Sequence, residues 1–293
     1  MVQGSASLAI RLGLTRLVVG LTIVAFGTST PELVVSVQAA YARNGEISLG
    51  NIVGSNICNI ALILGLSSLV RPLRVDTQLV RLQIPIMIGV SLMAWFLLKD
   101  RVLNRLEGMG LFLGIGIYTL YSLYLARKEF SGSMEENRAT SKHAWKQNPW
   151  LNILFITGGL AMLVGGARVF VSGAVALAKI LHISEAVIGL TIVAVGTSLP
   201  ELATSLVAAS RKEGDIAIGN VVGSNIFNIL GILGIASLVR PIEMGGIHMV
   251  DVVVMIMTTV LALPLAYSGF MLTRWEGAIL LAVYSSYVYY LFL

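Results

Sequence analysis

Residues 20–73 and 189–242 of this 293-residue chain are two copies of one sequence, identical at 34 of 54 positions under an offset of 169. "GLTIVAFGTSTPEL" (20–33) returns as "GLTIVAVGTSLPEL" (189–202). "GNIVGSNICNI" (50–60) returns as "GNVVGSNIFNI" (219–229), and "SLVRP" recurs at the end of both. Duplication on this scale requires a fold that gives both copies equivalent surroundings. Each copy also sets a proline beside a glutamate, Pro31–Glu32 and Pro200–Glu201, inside an apolar stretch where both are costly.

The surroundings are a membrane. The chain is 56% hydrophobic and 12% charged, against roughly 25% charged for a soluble domain. The charges fall between apolar runs near the ~20 residues that a membrane helix needs. The predicted spans are 17–41, 47–70, 79–98, 107–126, 152–178, 186–210, 216–239, 249–267 and 273–292. The fold class is therefore an all-α polytopic membrane protein. The single cysteine, Cys58, excludes an internal disulfide and a cysteine-rich metal cluster. A net charge of +5, spread singly over short loops, gives no nucleic-acid footprint.

The polar stretch 127–149 reads as a linker between two halves, 1–126 and 150–293. Residues before the first motif align with 170–184, the end of a span. They are too short to cross the bilayer themselves. Either a piece lies upstream or the first helix is a half-helix; the first option is favoured. Counting it, each half holds five helices, ten in a complete chain. Five is odd, so the second half enters from the opposite side. The result is an inverted-topology repeat. Loops carrying Arg71, Arg74, Arg127, Lys128, Arg211 and Lys212 are more basic than the opposite set. Positive charge prefers the cytoplasm, which places the linker there in a multi-pass protein of the cell (inner) membrane.

Inverted repeats with interrupted helices put binding sites near the bilayer midplane. Pro31 and Pro200 lack an N–H and clash with the carbonyl four residues back, so the helices are expected to break and unwind there. Ala25, Thr28 and Glu32 share one helix face, as do Ala194, Thr197 and Glu201. Ser55 and Asn59 lie one turn apart, as do Ser224 and Asn228. The donors are all oxygen or amide, which suits hard cations such as Na⁺ and Ca²⁺. An intramembrane glutamate costs on the order of 3 kcal/mol. A lone one is often structural; two at equivalent places are better explained by an ion. Ser36 and Ser205 read as packing groups, and Arg168 as a snorkelling or structurally paired residue.

These paired motifs, "GTSTPEL…GNIVGSNICNI" and "GTSLPEL…GNVVGSNIFNI", resemble the two alpha-repeats of the sodium/calcium exchanger family. The resemblance covers nearly the whole chain. It implies a prokaryotic-type antiporter exchanging Na⁺ for Ca²⁺ by alternating access. It further implies Ca²⁺ held by Glu32 and Glu201 with the carbonyls of Thr28 and Thr197. One Na⁺ would sit at Ala25, Thr28, Ser55 and Glu32, and another at Ala194, Thr197, Ser224 and Glu201, with Asn59 and Asn228 completing the centre. Some members have aspartate where this chain has Asn228. The implied partners are Ca²⁺, Na⁺ and the lipid bilayer, with no cofactor and no protein partner.

A proton/calcium exchanger of the same superfamily is the nearest alternative. An intramembrane hydrolase is a remote one: the spans hold no histidine and no central aspartate to build it, so no enzymatic activity is expected.

Overall fold

The structure, a computed structural model, describes residues 15–132 and 182–293 and scattered helical positions between 157 and 180. Residues 1–14, Arg168 and most of the 127–149 segment lie outside the described residues, so the expectations for them are not addressed.

The expected span 17–41 is a bent pair, α1 (Leu17–Thr28) and α2 (Thr30–Tyr41), meeting at 45°. Its copy is α6 (Glu185–Thr197) and α7 (Leu199–Ser210), also at 45°. The other helices are α3 (Gly45–Val70), α4 (Leu79–Asp100), α5 (Arg105–Gly132), α8 (Gly214–Val239), α9 (Met249–Phe270) and α10 (Arg274–Leu291). Helix α5 continues to Gly132, into the stretch read as linker.

The bend differs from the expected unwinding. A single residue leaves helical geometry in each pair, Ser29 (ψ 10°) and Ser198 (ψ 6°). Pro31 and Pro200 stand in the first turn of the new helices, where a missing N–H has no intrahelical partner to lose. A second distortion lies upstream. Gly20–Val24 and Gly189–Val193 are π-helical, which rotates the following residues relative to a regular α-helix.

Burial separates two classes of helix. In α3 and α8, 83% of the apolar window is buried; in α4, α5 and α9 the figures are 33%, 28% and 44%. So α3 and α8 are central, and α4, α5 and α9 are peripheral. The centre is interleaved between repeats. A Cβ on Gly54 of α3 would lie 2.4 Å from the Leu190 carbonyl oxygen and 2.7 Å from Ala194 Cβ. A Cβ on Gly223 of α8 would lie 2.3 Å from the Leu21 carbonyl oxygen. Only glycine lets each central helix approach the bent helix of the other repeat this closely.

Four two-residue strands show the inversion. β1 (Leu73–Arg74) pairs antiparallel with β4 (Met271–Leu272), and β2 (Val102–Leu103) with β3 (Ile242–Glu243). Under the 169 offset β1 is the copy of β3, and β2 of β4. Helix α4 carries the chain from β1 to β2, so the two strand pairs occupy opposite ends of the molecule. The copies therefore point in opposite directions.

Candidate functional site

The site grows from the two bends. Glu32 lies in the first turn of α2 and Glu201 in the first turn of α7. A helix N-terminus favours a carboxylate, which offsets part of the cost of burying one. Both glutamates are fully buried, as are Thr28, Thr197, Ser55, Ser224, Asn59 and Asn228. Ser55 and Asn59 straddle the middle of α3, and Ser224 and Asn228 the middle of α8, each helix being 26 residues long. At 1.5 Å per residue that is about 39 Å, so these groups sit far from either end.

The hydrogen bonds cross between repeats. Ser29 Oγ donates to Glu201 Oε1 at 2.8 Å and lies 3.0 Å from Ser224 Oγ. Ser198 Oγ donates to Glu32 Oε1 at 3.0 Å. Thr28 Oγ1 is 3.1 Å from Asn220 Oδ1, and Thr197 Oγ1 is 2.9 Å from Asn51 Oδ1. Each threonine hydroxyl also reaches a carbonyl of its own helix, Ala25 or Ala194, at 3.2 Å. Asn51 Nδ2 returns to the Glu32 carbonyl oxygen at 3.3 Å and Ser36 Oγ at 2.9 Å. Asn220 Nδ2 does the same to Glu201 and Ser205 at 3.4 and 3.1 Å.

All ten expected residues are buried, and bonds run between the repeats where the expected subsets were drawn within one. Ser55 Oγ also reaches across, to the carbonyl of Ala194 at 3.4 Å. Thr28 and Ser29 face Asn220, Ser224 and Glu201 of the other copy. Six further residues belong to the arrangement: Ser29, Ser198, Asn51, Asn220, Asn56 and Asn225. All recur under the offset, and buried polar groups kept in both copies of an apolar motif are the signal that marks them. Ser36 and Ser205 are more than packing groups, since they accept from Asn51 and Asn220.

Four oxygens in the centre have no hydrogen-bond donor: Glu32 Oε2, Glu201 Oε2, Asn59 Oδ1 and Asn228 Oδ1. A buried acceptor left this way costs about 1–3 kcal/mol, more for a charged group. Among the described residues no three of His, Cys, Asp and Glu gather as a metal cluster. The donor set is two carboxylates with neutral oxygens, the chemistry of a hard cation.

The sodium/calcium exchanger protein family matches residues 1–126 and 151–293. The chain belongs to this family. The exchanger MaX1 of Methanosarcina acetivorans, a sodium/calcium exchanger, is 32% identical over 99% of this chain and 93% of its own length. The inner membrane protein YrbG of Escherichia coli is 38% identical over 79% of this chain and 72% of its own. A solved structure of the sodium-calcium exchanger NCX_Mj, soaked with zero Na⁺ and Ca²⁺, superposes with TM-score 0.80 at 34% identity, covering 99% of this chain and 92% of that one. The same protein soaked with 2.5 mM Na⁺ and 1 mM Sr²⁺ gives 0.81 at 35% identity, covering 98% and 91%. This exchanger is thus a multi-pass helical membrane protein with an inverted repeat.

Proposed function

We propose that this chain exchanges Na⁺ for Ca²⁺ across the cell membrane by alternating access, through a site at the midplane. The observation that carries the reading is the set of four unpartnered oxygens on Glu32, Glu201, Asn59 and Asn228. They come as two symmetry-related pairs from opposite repeats. Two carboxylates and two amide oxygens without donors suit a hard cation.

Glu32 and Glu201 supply a charge of −2 when ionised. One Ca²⁺ neutralises them, and so do two Na⁺; a third Na⁺ leaves +1. Three-for-one exchange then moves one net charge per cycle. Each charge is worth about 2.3 kcal/mol per 100 mV, so an inside-negative potential drives Na⁺ entry and Ca²⁺ exit. The carbonyls of Thr28 and Thr197 extend the Ca²⁺ shell. Na⁺ binds on either side of it, near Ala25 with Thr28 and near Ala194 with Thr197, using Ser55 and Ser224. An empty site retains −2 and resists crossing, which couples the two fluxes. The linker lies on the cytoplasmic side.

The test is uptake of radiolabelled Ca²⁺ into Na⁺-loaded proteoliposomes, with Na⁺, K⁺ and pH gradients varied separately. Uptake should require the outward Na⁺ gradient and persist when the pH gradient is collapsed. Uptake that follows the pH gradient and ignores Na⁺ would overturn the Na⁺ assignment in favour of proton coupling.

A further inference from the structure

Four asparagines meet where α3 crosses α8, all of them buried. Asn59 Nδ2 donates to Asn225 Oδ1 at 2.9 Å, and Asn228 Nδ2 donates to Asn56 Oδ1 at 3.3 Å. The offset turns one of these bonds into the other. Asn225 Nδ2 donates in turn to the Asn56 backbone carbonyl at 3.1 Å. Asn56 Nδ2 meets the Met255 sulfur at 3.5 Å. Every amide nitrogen of the cluster is committed. The side-chain oxygens of Asn59 and Asn228 are left without a donor.

A primary amide has two faces of opposite polarity. One presents lone pairs to a cation; the other presents N–H dipoles that repel it. Nothing in Asn59 or Asn228 alone selects between them, because the two orientations have nearly the same shape. The partners make the selection. A half-turn of Asn59 would set its oxygen against the oxygen of Asn225, two acceptors in contact. Asn225 cannot turn to relieve this, since its own nitrogen is held on the Asn56 carbonyl. The same logic fixes Asn228 through Asn56, with a looser latch, because a thioether is a weak acceptor.

We propose that Asn225 and Asn56 are positioning residues: they hold the acceptor faces of Asn59 and Asn228 toward the transported cation, and so set its affinity without touching it. The inference rests on the ion-site reading above. Partners that orient metal ligands in this way are typically worth tenfold to a hundredfold in affinity.

The measurement is Ca²⁺ binding to the purified chain by calorimetry, together with the KM and maximal rate of Na⁺-driven Ca²⁺ uptake. Asn225→Leu removes the acceptor and keeps the volume. Apparent Ca²⁺ affinity should fall by roughly tenfold or more, with a much smaller change in maximal rate. Asn56→Leu should fall less, in keeping with its looser latch. In an Asn59→Ala background Asn225→Leu should add nothing, because the group it orients is gone. Wild-type affinity in folded Asn225→Leu, or losses that add in the double variant, would overturn the proposal. If neither leucine variant can be recovered folded, the cluster is structural and the proposal fails. Glu201→Gln separates the two levels. Should it keep normal Ca²⁺ binding, the ion-site reading itself falls. Should it lose binding while Asn225→Leu does not, only the positioning role falls.

Discussion

The two halves of the site are built from the same residues and are not quite the same object. Around Glu201, one carboxylate oxygen accepts from both Ser29 at 2.8 Å and Ser224 at 3.3 Å. Around Glu32, the matching oxygen accepts from Ser198 at 3.0 Å, while Ser55 is turned to the Ala194 carbonyl oxygen at 3.4 Å. The threonine–asparagine contacts are preserved in both halves, as are the unpartnered second carboxylate oxygens. Rigid elements carry the symmetry: helix crossings, the Asn51 and Asn220 amides and the two bends. Two side chains break it: the Ser55 hydroxyl, and Asn56, whose nitrogen meets the Met255 sulfur where that of Asn225 holds a backbone carbonyl. Equivalent surroundings are therefore imposed by backbone packing, and the chemistry differs at the side chains.

The largest effect tests the equivalence of the acids. Glu32→Gln and Glu201→Gln should each reduce Na⁺-driven Ca²⁺ uptake to the level of protein-free vesicles, because each removes half of the charge opposing Ca²⁺. A normal rate in one of them would show that the halves are unequal in function as well as in hydrogen bonding.

Next come the two close crossings. Gly54→Ala and Gly223→Ala each force a methyl group into a backbone carbonyl oxygen within 2.4 Å. Overpacking of this kind costs about 1–3 kcal/mol, so both should lower the thermal unfolding temperature in detergent by a similar amount. Gly110→Ala, with nothing within 4 Å of its Cβ position, should not.

The asparagine clamps sharpen the comparison further. Asn51→Ala and Asn220→Ala each leave a threonine hydroxyl without its inter-repeat acceptor and a glutamate carbonyl without its donor. About 1–3 kcal/mol of stability should go in each case, read as a shift in unfolding midpoint. Unequal losses would mean that the clamps bear different loads despite their matching bonds.

The smallest effect addresses the broken symmetry directly. Ser224→Ala removes one of two donors to Glu201, whereas Ser55→Ala removes only a long bond to a carbonyl. A difference of about 1 kcal/mol, or roughly fivefold in apparent KM for Ca²⁺, is expected between them. Equal values would mean that the hydroxyls reorient freely when the ion binds.

Much of this site can be read in the sequence because duplication marks it twice. Glu32, Asn59, Ser55 and Thr28 stand out by polarity in an apolar run, and their copies single them out a second time. The cross-pairing does not stand out. Spacing along a helix reports which residues share a face within one repeat, and says nothing about Ser29 meeting Glu201 from the other. Asn51 lies one turn before Ser55 and Asn56 directly after it, and neither spacing tells which residue of the other repeat it meets. The π-helical turns and the two-residue strands have no sequence signature of their own. Proline marked the bends correctly but suggested wide unwinding. It serves instead as a helix start, because the preceding serine absorbs the whole change of direction.

The paired strands at the two ends have a mechanical consequence. Each ties a connection of one half to a connection of the other, β1 to β4 at one end and β2 to β3 at the other. Rocking the halves as two rigid jaws would open one end while shutting the other, and would shear a tie each time. With both ends buckled, the helices joined by these strands are expected to move together as one chassis. If the chain exchanges ions as proposed above, the stroke that carries an ion across is expected to come from parts of the chain that the buckles leave free.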